Sequence, residues 1–196
     1  MGTGLRERKK EATREGLHEA ALRLAAERGP DRVTIDDIAD AAGVCRRTFS
    51  NYFSGIQEAL LYREQERMRL LLDLIQARPA REPAWTALTR AAFELSERVG
   101  ERDPMWLAQA RLVRNHPSLA GHQVAAYAAL ERDLAELVAA RQETQDPYAH
   151  MRARLVAASY LSALRIALQT WLDDPSGPAL PEVLREALNG MAQRFR

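Results

Sequence analysis

The sequence predicts an all-α protein of about nine helices, with an N-terminal three-helix domain followed by a larger helical domain. Apolar residues recur at spacings of three and four along nearly the whole chain, as they do on the buried face of a helix. Ala, Leu, Arg and Glu are abundant, whereas β-branched residues are sparse and scattered. Glycines and prolines separate the helical segments. With 196 residues and 46% hydrophobic content, the chain is long enough to bury a core.

The first predicted helix ends at Gly29-Pro30, where a glycine is followed by a helix breaker. Its apolar face consists of Leu17, Ala20, Ala21, Leu24 and Ala25. Before this face, the segment from Arg6 to Arg14 contains five basic and two acidic residues. We expect the basic part, Arg6 to Lys10, to be disordered in isolation. It is either a solvated tail or an arm that follows nucleic-acid phosphates or enters a minor groove.

Two short helices joined by a tight turn are predicted next. Thr34 and Asp37 have the spacing of a capping box, with Asp in the usual Glu position, and they open the second helix. Gly43 ends that helix and allows the chain to turn sharply. This arrangement meets the physical requirements of a helix-turn-helix.

The third helix is predicted from Cys45 to about Phe53, with Phe49 and Phe53 on its buried side. Its outward side then presents Arg46, Arg47, Thr48, Ser50 and Asn51. These residue types hydrogen-bond to guanine, adenine and phosphate in a DNA major groove. Because any short surface helix also exposes polar residues, this composition alone fits a solvated surface as well.

Residues 14 to 60 resemble the DNA-binding domain of the TetR family of bacterial transcriptional regulators. The similarity is carried by the segment REGLHEAALRLAAERGPDRVTIDDIADAAGVCRRTFSNYF, which covers all three helices and their turns. It implies that Thr34 caps the second helix near a phosphate and that Tyr52 reaches a backbone phosphate. It also implies that the groove is read by Arg46, Arg47, Thr48 and Asn51, to which we add Ser50 as a candidate contact.

Four positions depart from the family pattern. Cys45 replaces the usual Ser cap of the third helix, and a thiol is a poorer hydrogen-bond acceptor than a hydroxyl. We expect Cys45 to be a small buried residue rather than a redox sensor. Ser50 stands where an aromatic residue is common, and Ile56 with Gln57 replaces a frequent Lys-Glu pair. Losing the lysine removes one phosphate contact, which should reduce the salt slope of DNA binding by about 1.

The remaining chain is predicted to contain a long helix from about Ile56 to Ala77 and about five further helices, with prolines near their first positions. The best boundary is Arg78 to Pro83. We therefore divide the chain into a DNA-binding domain (1–55), a connecting helix (56–78) and an effector-binding and dimerisation domain (79–196). The family resemblance implies dimerisation through the last two helices, predicted at Leu155 to Leu172 and Pro181 to Phe195.

The C-terminal domain is expected to bind a small hydrophobic ligand between its helices. Candidate apolar lining residues are Trp85, Phe93, Met105, Trp106, Tyr127, Tyr160 and Trp171. Candidate anchors for an anionic end are Arg111, Arg114, Asn115 and His122. Our leading ligand contacts are Phe93, Trp106, Arg111, Tyr127 and Tyr160. The segment RLVRNHPSL at 111–119 is similar to effector domains of mycofactocin-type regulators, which implies an acyl-CoA-like ligand.

The resemblance predicts three partners: a double-stranded DNA operator, a small effector and a second copy of the chain. No cofactor, metal or membrane is expected, and the polar N-terminus predicts a cytoplasmic protein without a signal sequence. The net charge of +1 gives no independent sign of nucleic-acid binding.

Two other functions compete with this interpretation. A helical di-iron enzyme requires two Glu-x-x-His motifs, whereas only Glu15 and His18 have that spacing. A helical adaptor would use the N-terminal helices to dock onto a protein rather than onto DNA. Nucleophiles and histidines are too scattered for a recognisable catalytic centre, so we expect no enzymatic activity.

Overall fold

The computed structural model describes residues 3–99, 104–141, 146–174 and 176–192. Within these ranges the chain forms nine α-helices and no strand, which confirms the predicted all-α class. A short 3-10 helix, Pro30–Arg32, precedes the second α-helix. The α-helices are α1 (Thr3–Arg28), α2 (Ile35–Ala41), α3 (Arg46–Tyr52), α4 (Ile56–Gln76), α5 (Ala84–Val99), α6 (Pro104–Asn115), α7 (Pro117–Ala139), α8 (Ala149–Asp173) and α9 (Leu180–Ala192).

The start of α1 differs from the prediction. The basic segment from Arg6 to Lys10 is helical rather than disordered, because α1 begins at Thr3. Arg, Lys, Glu and Ala are strong helix formers, so this polar segment can continue a helix that the later residues anchor. The anchors include Glu15, whose carboxylate accepts a hydrogen bond from Arg63 Nε on α4 at 2.8 Å.

The first compact unit contains Met1–Gln65 and Pro104–Gln123. Its core is formed by fully buried apolar side chains from α1 to α4 and α6 to α7, among them Leu17, Ile38, Phe49, Leu60 and Leu119. Two buried polar side chains also bind neighbouring carbonyl groups of α4. His18 Nδ1 donates to Ala59 O at 2.7 Å, and Gln109 Nε2 donates to Leu60 O at 2.8 Å.

The first unit has other bounds than the predicted DNA-binding domain (1–55) and connecting helix (56–78). It takes in the N-terminal part of α4, all of α6 and the first turns of α7. The physical reason is that α6 packs on α1 and that buried Gln109 binds the backbone of α4. Helix α4 continues from this unit into the next at residue 65.

The second compact unit contains Glu66–Asp103 and Val124–Arg196. Helices α8 and α9 pack closely together, and Leu88, Leu134, Tyr160 and Leu188 are completely buried in its core. The Tyr160 hydroxyl donates to Leu88 O at 2.9 Å. The predicted end of the last helix, Phe195, lies outside the described residues.

One face of α8 is exposed and apolar. Met151, Leu155 and Ile166 are each more than half exposed, and their spacing places them on the same side of the helix. By length and composition this helix is also apolar enough to cross a membrane, and 33% of its most apolar window is buried. An exposed apolar face of this kind on a folded unit is typical of an interaction surface.

Candidate nucleic-acid interface

A capping box at Thr34 begins α2, as the sequence predicts. The Thr34 hydroxyl accepts a hydrogen bond from Asp37 N at 3.1 Å, and the Asp37 carboxylate accepts one from Thr34 N at 2.9 Å. The carboxylate also accepts the Thr34 hydroxyl hydrogen at 2.5 Å. The predicted phosphate contact of Thr34 would thus have to displace Asp37 if it used the hydroxyl hydrogen.

Asp37 is held in its charged form by this geometry. The Thr34 hydroxyl and then the Thr34 amide lower the pKa of the Asp37 carboxyl below its ordinary value, and the Arg28 charge adds to the effect. Arg28 Nη1 lies 3.5 Å from the carboxylate. The hydrogen-bonding capacity of Asp37 is therefore used at the start of α2.

Gly43 makes the turn between α2 and α3 with a φ of 67°. This left-handed conformation is unfavourable for residues that carry a Cβ. The turn is closed by a hydrogen bond from Val44 N to Ala39 O at 2.9 Å. It fixes the direction in which α3 leaves the turn.

Helix α3 buries its aromatic side and exposes its polar side. Phe49 is fully buried, and its ring centre lies 5.8 Å from that of Phe53. The exposed residues are Arg46, Arg47, Ser50 and Asn51, while Thr48 and Tyr52 are half-buried. The helix thus brings six of the seven predicted DNA contacts onto one short element, with Tyr52 also packing against the core of the first unit.

Arg46 forms an ion pair that the sequence analysis missed. Its Nη1 atom lies 2.6 Å from Asp36 Oδ2 on α2, and the two side chains are 63% and 59% exposed. The pair joins the first turns of α2 and α3. Ten residues separate the partners in sequence, so helical spacing gives no signal for the contact.

Cys45 is exposed, and the expectation that it would be buried is wrong. It precedes the first turn of α3, where the chain is still extended and the side chain is open to solvent. Its sulfur lies 3.3 Å from Thr48 Oγ1 and forms no capping hydrogen bond with the helix backbone. The hydrogen bond with the Thr48 hydroxyl lowers the pKa of the thiol.

Glu58 holds the first turn of α4 in place. Ile56 and Gln57, which stand where the family often has a Lys-Glu pair, do not make these contacts. The Glu58 carboxylate accepts hydrogen bonds from Ser54 N and Ser54 Oγ, both at 2.7 Å. Ile56 is half-buried and packs against the core of the first unit. The substitution at Ile56 therefore contributes an apolar contact where the family has a cation.

Additional positive charge lies on the first turns of α1. Arg6, Arg8, Lys9 and Lys10 are all exposed. They belong to the same compact unit as α3. The unit thus presents two groups of basic side chains.

The five leading ligand contacts are divided between the two units. Phe93, Tyr127 and Tyr160 belong to the second unit, whereas Trp106 and Arg111 belong to the first. Trp106 is buried and Arg111 is exposed.

Tyr160 lies in the core of the second unit. It is fully buried, its ring contacts Trp85 edge-on at 6.2 Å, and its hydroxyl hydrogen is used by Leu88 O. Burial raises the pKa of this hydroxyl well above its ordinary value. Tyr160 therefore packs in the core of the second unit, and its contact with a ligand stays a prediction.

Phe93 is half-buried in the second unit and has a cationic neighbour. The Arg185 guanidinium on α9 lies 5.6 Å from the centre of the Phe93 ring. Tyr127 is also half-buried. The side chains of Arg114 and Asn115 lie outside what the structure describes, and His122 is exposed on α7.

Across the described parts of the chain, no three His, Cys, Asp or Glu side chains come together in a way that could hold a metal ion. His18, the one histidine with di-iron spacing to a glutamate, uses Nδ1 to bind a backbone carbonyl.

Two family profiles match the chain. Residues 17–62 match the family described as "Bacterial regulatory proteins, tetR family". Residues 82–196 match the "MftR C-terminal domain". The first match contains α2 and α3 with the turn between them, and the second contains α5 to α9.

Two curated relatives are similar along most of the chain. The transcriptional regulator TcmR of Streptomyces glaucescens is 30% identical over 176 residues, which cover 87% of this chain and 77% of TcmR. MftR of Mycobacterium tuberculosis, a regulator named for mycofactocin biosynthesis, is 29% identical over 190 residues, which cover 93% of this chain and 90% of MftR.

Solved structures share the fold. NalD, the secondary repressor of the MexAB-OprM efflux pump in Pseudomonas aeruginosa, superposes with a TM-score of 0.61 at 17% identity, covering 95% of this chain and 96% of NalD. SmeT, the repressor of the SmeDEF pump of Stenotrophomonas maltophilia, has a TM-score of 0.61 at 16% identity, covering 91% of this chain and 88% of SmeT. At these identities the similarity concerns the fold alone.

Proposed function

Because this chain belongs to the TetR family of bacterial transcriptional regulators, we propose that it is a repressor that binds a palindromic operator as a homodimer and responds to a small hydrophobic or acyl-type ligand. As a member of this family it is a regulator and not an enzyme. The observation that carries the proposal is the polar face of α3, where Arg46, Arg47, Ser50 and Asn51 are exposed above a buried Phe49.

The exposed side chains suit major-groove recognition. An arginine can bind guanine O6 and N7 with two hydrogen bonds, and an asparagine can bind adenine N6 and N7. We assign base reading to Arg46, Arg47 and Asn51, and backbone or shape contacts to Thr34, Thr48, Ser50 and Tyr52. The exposed cations on the first turns of α1 would add sequence-independent attraction to phosphates.

We propose that the exposed apolar face of α8 is covered by a second copy of the chain. Met151, Leu155 and Ile166 form this face, and two-fold symmetric dimers are the commonest soluble homo-oligomers. A dimer would present two copies of α3 to the two halves of a palindrome. Since its target is chromosomal DNA, we place the protein in the cytoplasm.

The ligand proposal rests on the match of residues 82–196 to the MftR C-terminal domain. We propose that ligand binding shifts the dimer toward a form whose recognition helices no longer match the half-site spacing. Phe93 and Tyr127, both half-buried, are the candidate ligand contacts in the second unit, and Trp106 and Arg111 are the candidates in the first unit.

A series of acyl-CoA thioesters of increasing chain length tests the ligand proposal. Binding at 100 times the Kd should stabilise the protein by about 2.7 kcal/mol and weaken operator binding.

The primary test is selection of genomic DNA fragments by the purified protein, followed by fluorescence anisotropy of the best fragment at two salt concentrations. We expect a palindrome, salt-dependent affinity and a roughly ten-fold loss of affinity in Arg47→Ala. Arg23→Ala is the matched control, because Arg23 is an exposed arginine of α1 rather than of α3 and pairs with Glu27 at 3.8 Å. Its affinity should stay close to wild type.

The rival functions give different results. A protein-binding adaptor would show no salt-dependent enrichment of any duplex, and a metalloenzyme would copurify with stoichiometric metal. A folded protein that binds all fragments equally, with or without acyl-CoA, would contradict the repressor proposal.

A further inference from the structure

We infer that Asp36 is a specificity-determining residue that suppresses binding of Arg46 to non-operator DNA, an inference that rests on the proposed DNA-binding function. The carboxylate of Asp36 and the guanidinium of Arg46 meet at 2.6 Å between the first turns of α2 and α3. Arg46 is thus paired with a carboxylate of the same chain at the edge of the face assigned to DNA.

Asp36 differs from its neighbour Asp37 in what it binds. The Asp37 carboxylate accepts a hydrogen bond from Thr34 N and lies beside Arg28, so it stabilises the start of α2. Asp36 instead accepts a hydrogen bond from Arg46 on α3. Both members of this pair remain mostly exposed, at 59% for Asp36 and 63% for Arg46, so incoming DNA would meet the pair rather than an isolated cation.

The pair should affect random DNA and operator DNA differently. On random DNA, an arginine contributes chiefly by attracting phosphates, and that attraction depends on its net charge. A carboxylate in contact with the guanidinium cancels most of this charge and repels phosphates itself. Binding to random DNA therefore loses most of the electrostatic contribution of Arg46.

On an operator, Arg46 can still bind a base edge while it is paired. A guanidinium carries five N–H donors, and Asp36 contacts the Nη1 end. An arginine that is already held in one geometry loses less side-chain freedom when it binds. Asp36 therefore weakens non-specific binding more than operator binding, and the ratio between the two affinities increases.

The test compares wild type, Asp36→Asn, Arg46→Ala and the double variant on two duplexes. One duplex is the operator recovered by genomic selection, and the other is poly(dI-dC), both titrated by anisotropy at several salt concentrations. Asp40→Asn is the matched control. Asp40 is also an exposed carboxylate of α2, and its removal takes away the same charge but leaves the Arg46 contact intact.

We expect Asp36→Asn to raise affinity for poly(dI-dC) about three-fold and to steepen its salt dependence by about one counterion, while operator affinity changes less. In the Arg46→Ala background the same substitution should leave the ratio of the two affinities unchanged. Circular dichroism should show unchanged helix content for all variants.

Three results would overturn the inference: equal gains on both duplexes, an equal effect of Asp40→Asn, or a change in the ratio that persists without Arg46. Each of them leaves selective binding by wild type intact. If wild type prefers no genomic fragment over poly(dI-dC), the proposed repressor function fails, and this inference fails with it.

Discussion

At the scale of single residues, the Thr34 and Asp37 pair links the stability of α2 to pH. The two residues exchange three hydrogen bonds, and the pKa of Asp37 is lowered chiefly by the Thr34 hydroxyl. A carboxyl whose pKa is lower in the folded state contributes stability above its unfolded pKa, and that contribution is lost as pH falls.

We therefore predict that Thr34→Ala lowers the free energy of unfolding by about 1 kcal/mol at pH 7. The difference from wild type should shrink as pH falls below the ordinary Asp value of 3.8. Urea unfolding at several pH values measures it. Thr13→Ala is the control, since Thr13 Oγ1 bonds to the carbonyl of Lys9 instead of to a carboxylate. A pH-independent deficit in Thr34→Ala would contradict the linkage.

Gly43 sets the geometry of the turn before α3 through its backbone alone. A Cβ built at this position meets no atom within 4 Å, so its positive φ is the sole source of strain in Gly43→Ala. We predict a loss of about 1 kcal/mol in the free energy of unfolding. Gly16→Ala should behave oppositely and stabilise by up to about 1 kcal/mol, because Gly16 lies inside α1 with equally open space. Thermal unfolding of both variants, compared side by side, checks the contrast.

At the scale of helices, buried Gln109 connects α6 to α4 within the first unit. Its side chain donates to Leu60 O at 2.8 Å and is only 1% exposed. Gln109→Met keeps a similar volume but removes the donor, so we predict a loss of about 1 kcal/mol and faster amide hydrogen exchange in α6.

Gln123→Met is the corresponding control on α7, because its Nε2 atom lies at a longer 3.3 Å from Glu64 in a less buried setting. Its stability should change less than that of Gln109→Met. Equal effects of the two substitutions would mean that the Leu60 contact adds nothing beyond packing.

Helices and turns could be predicted from the sequence because their signals are local. The capping residues at Thr34, the glycine at Gly43 and the three- and four-residue apolar spacing each act within one or two turns. The exposed polar residues of α3 follow from the same periodicity, since burying Phe49 leaves Arg47 and Asn51 on the outer side.

Contacts between distant residues carried no such signal. The Asp36–Arg46 pair and the Gln109–Leu60 hydrogen bond depend on how separate helices meet. The same is true of the burial of Tyr160. From the sequence alone, its aromatic ring and hydroxyl suit a ligand pocket and a packed core equally well, and in the structure the residue is fully buried in the core of the second unit.

At the scale of the whole molecule, the +1 net charge limits long-range attraction to DNA, so the operator affinity that we propose must come from local groups of cations. The state of assembly then becomes decisive, because two weak half-site contacts act together only in a dimer.

We predict that Leu155→Glu combined with Ile166→Glu roughly halves the mass measured by light scattering and abolishes operator binding at concentrations that saturate wild type. The helix content should remain, because both side chains are more than half exposed. Val124→Glu provides the control, as it places the same charge on an exposed apolar position of α7. A double variant that keeps the mass of wild type would place the subunit contact elsewhere.

The single cysteine of the chain lies exposed at the start of α3. A thiol-reactive fluorophore would therefore attach to wild-type protein at one known position, on the helix assigned to DNA. Maleimide labelling should slow when operator is added and recover when an effector releases it. The natural chain thus carries its own attachment point for a spectroscopic reporter, with which candidate effectors can be screened without engineering the protein.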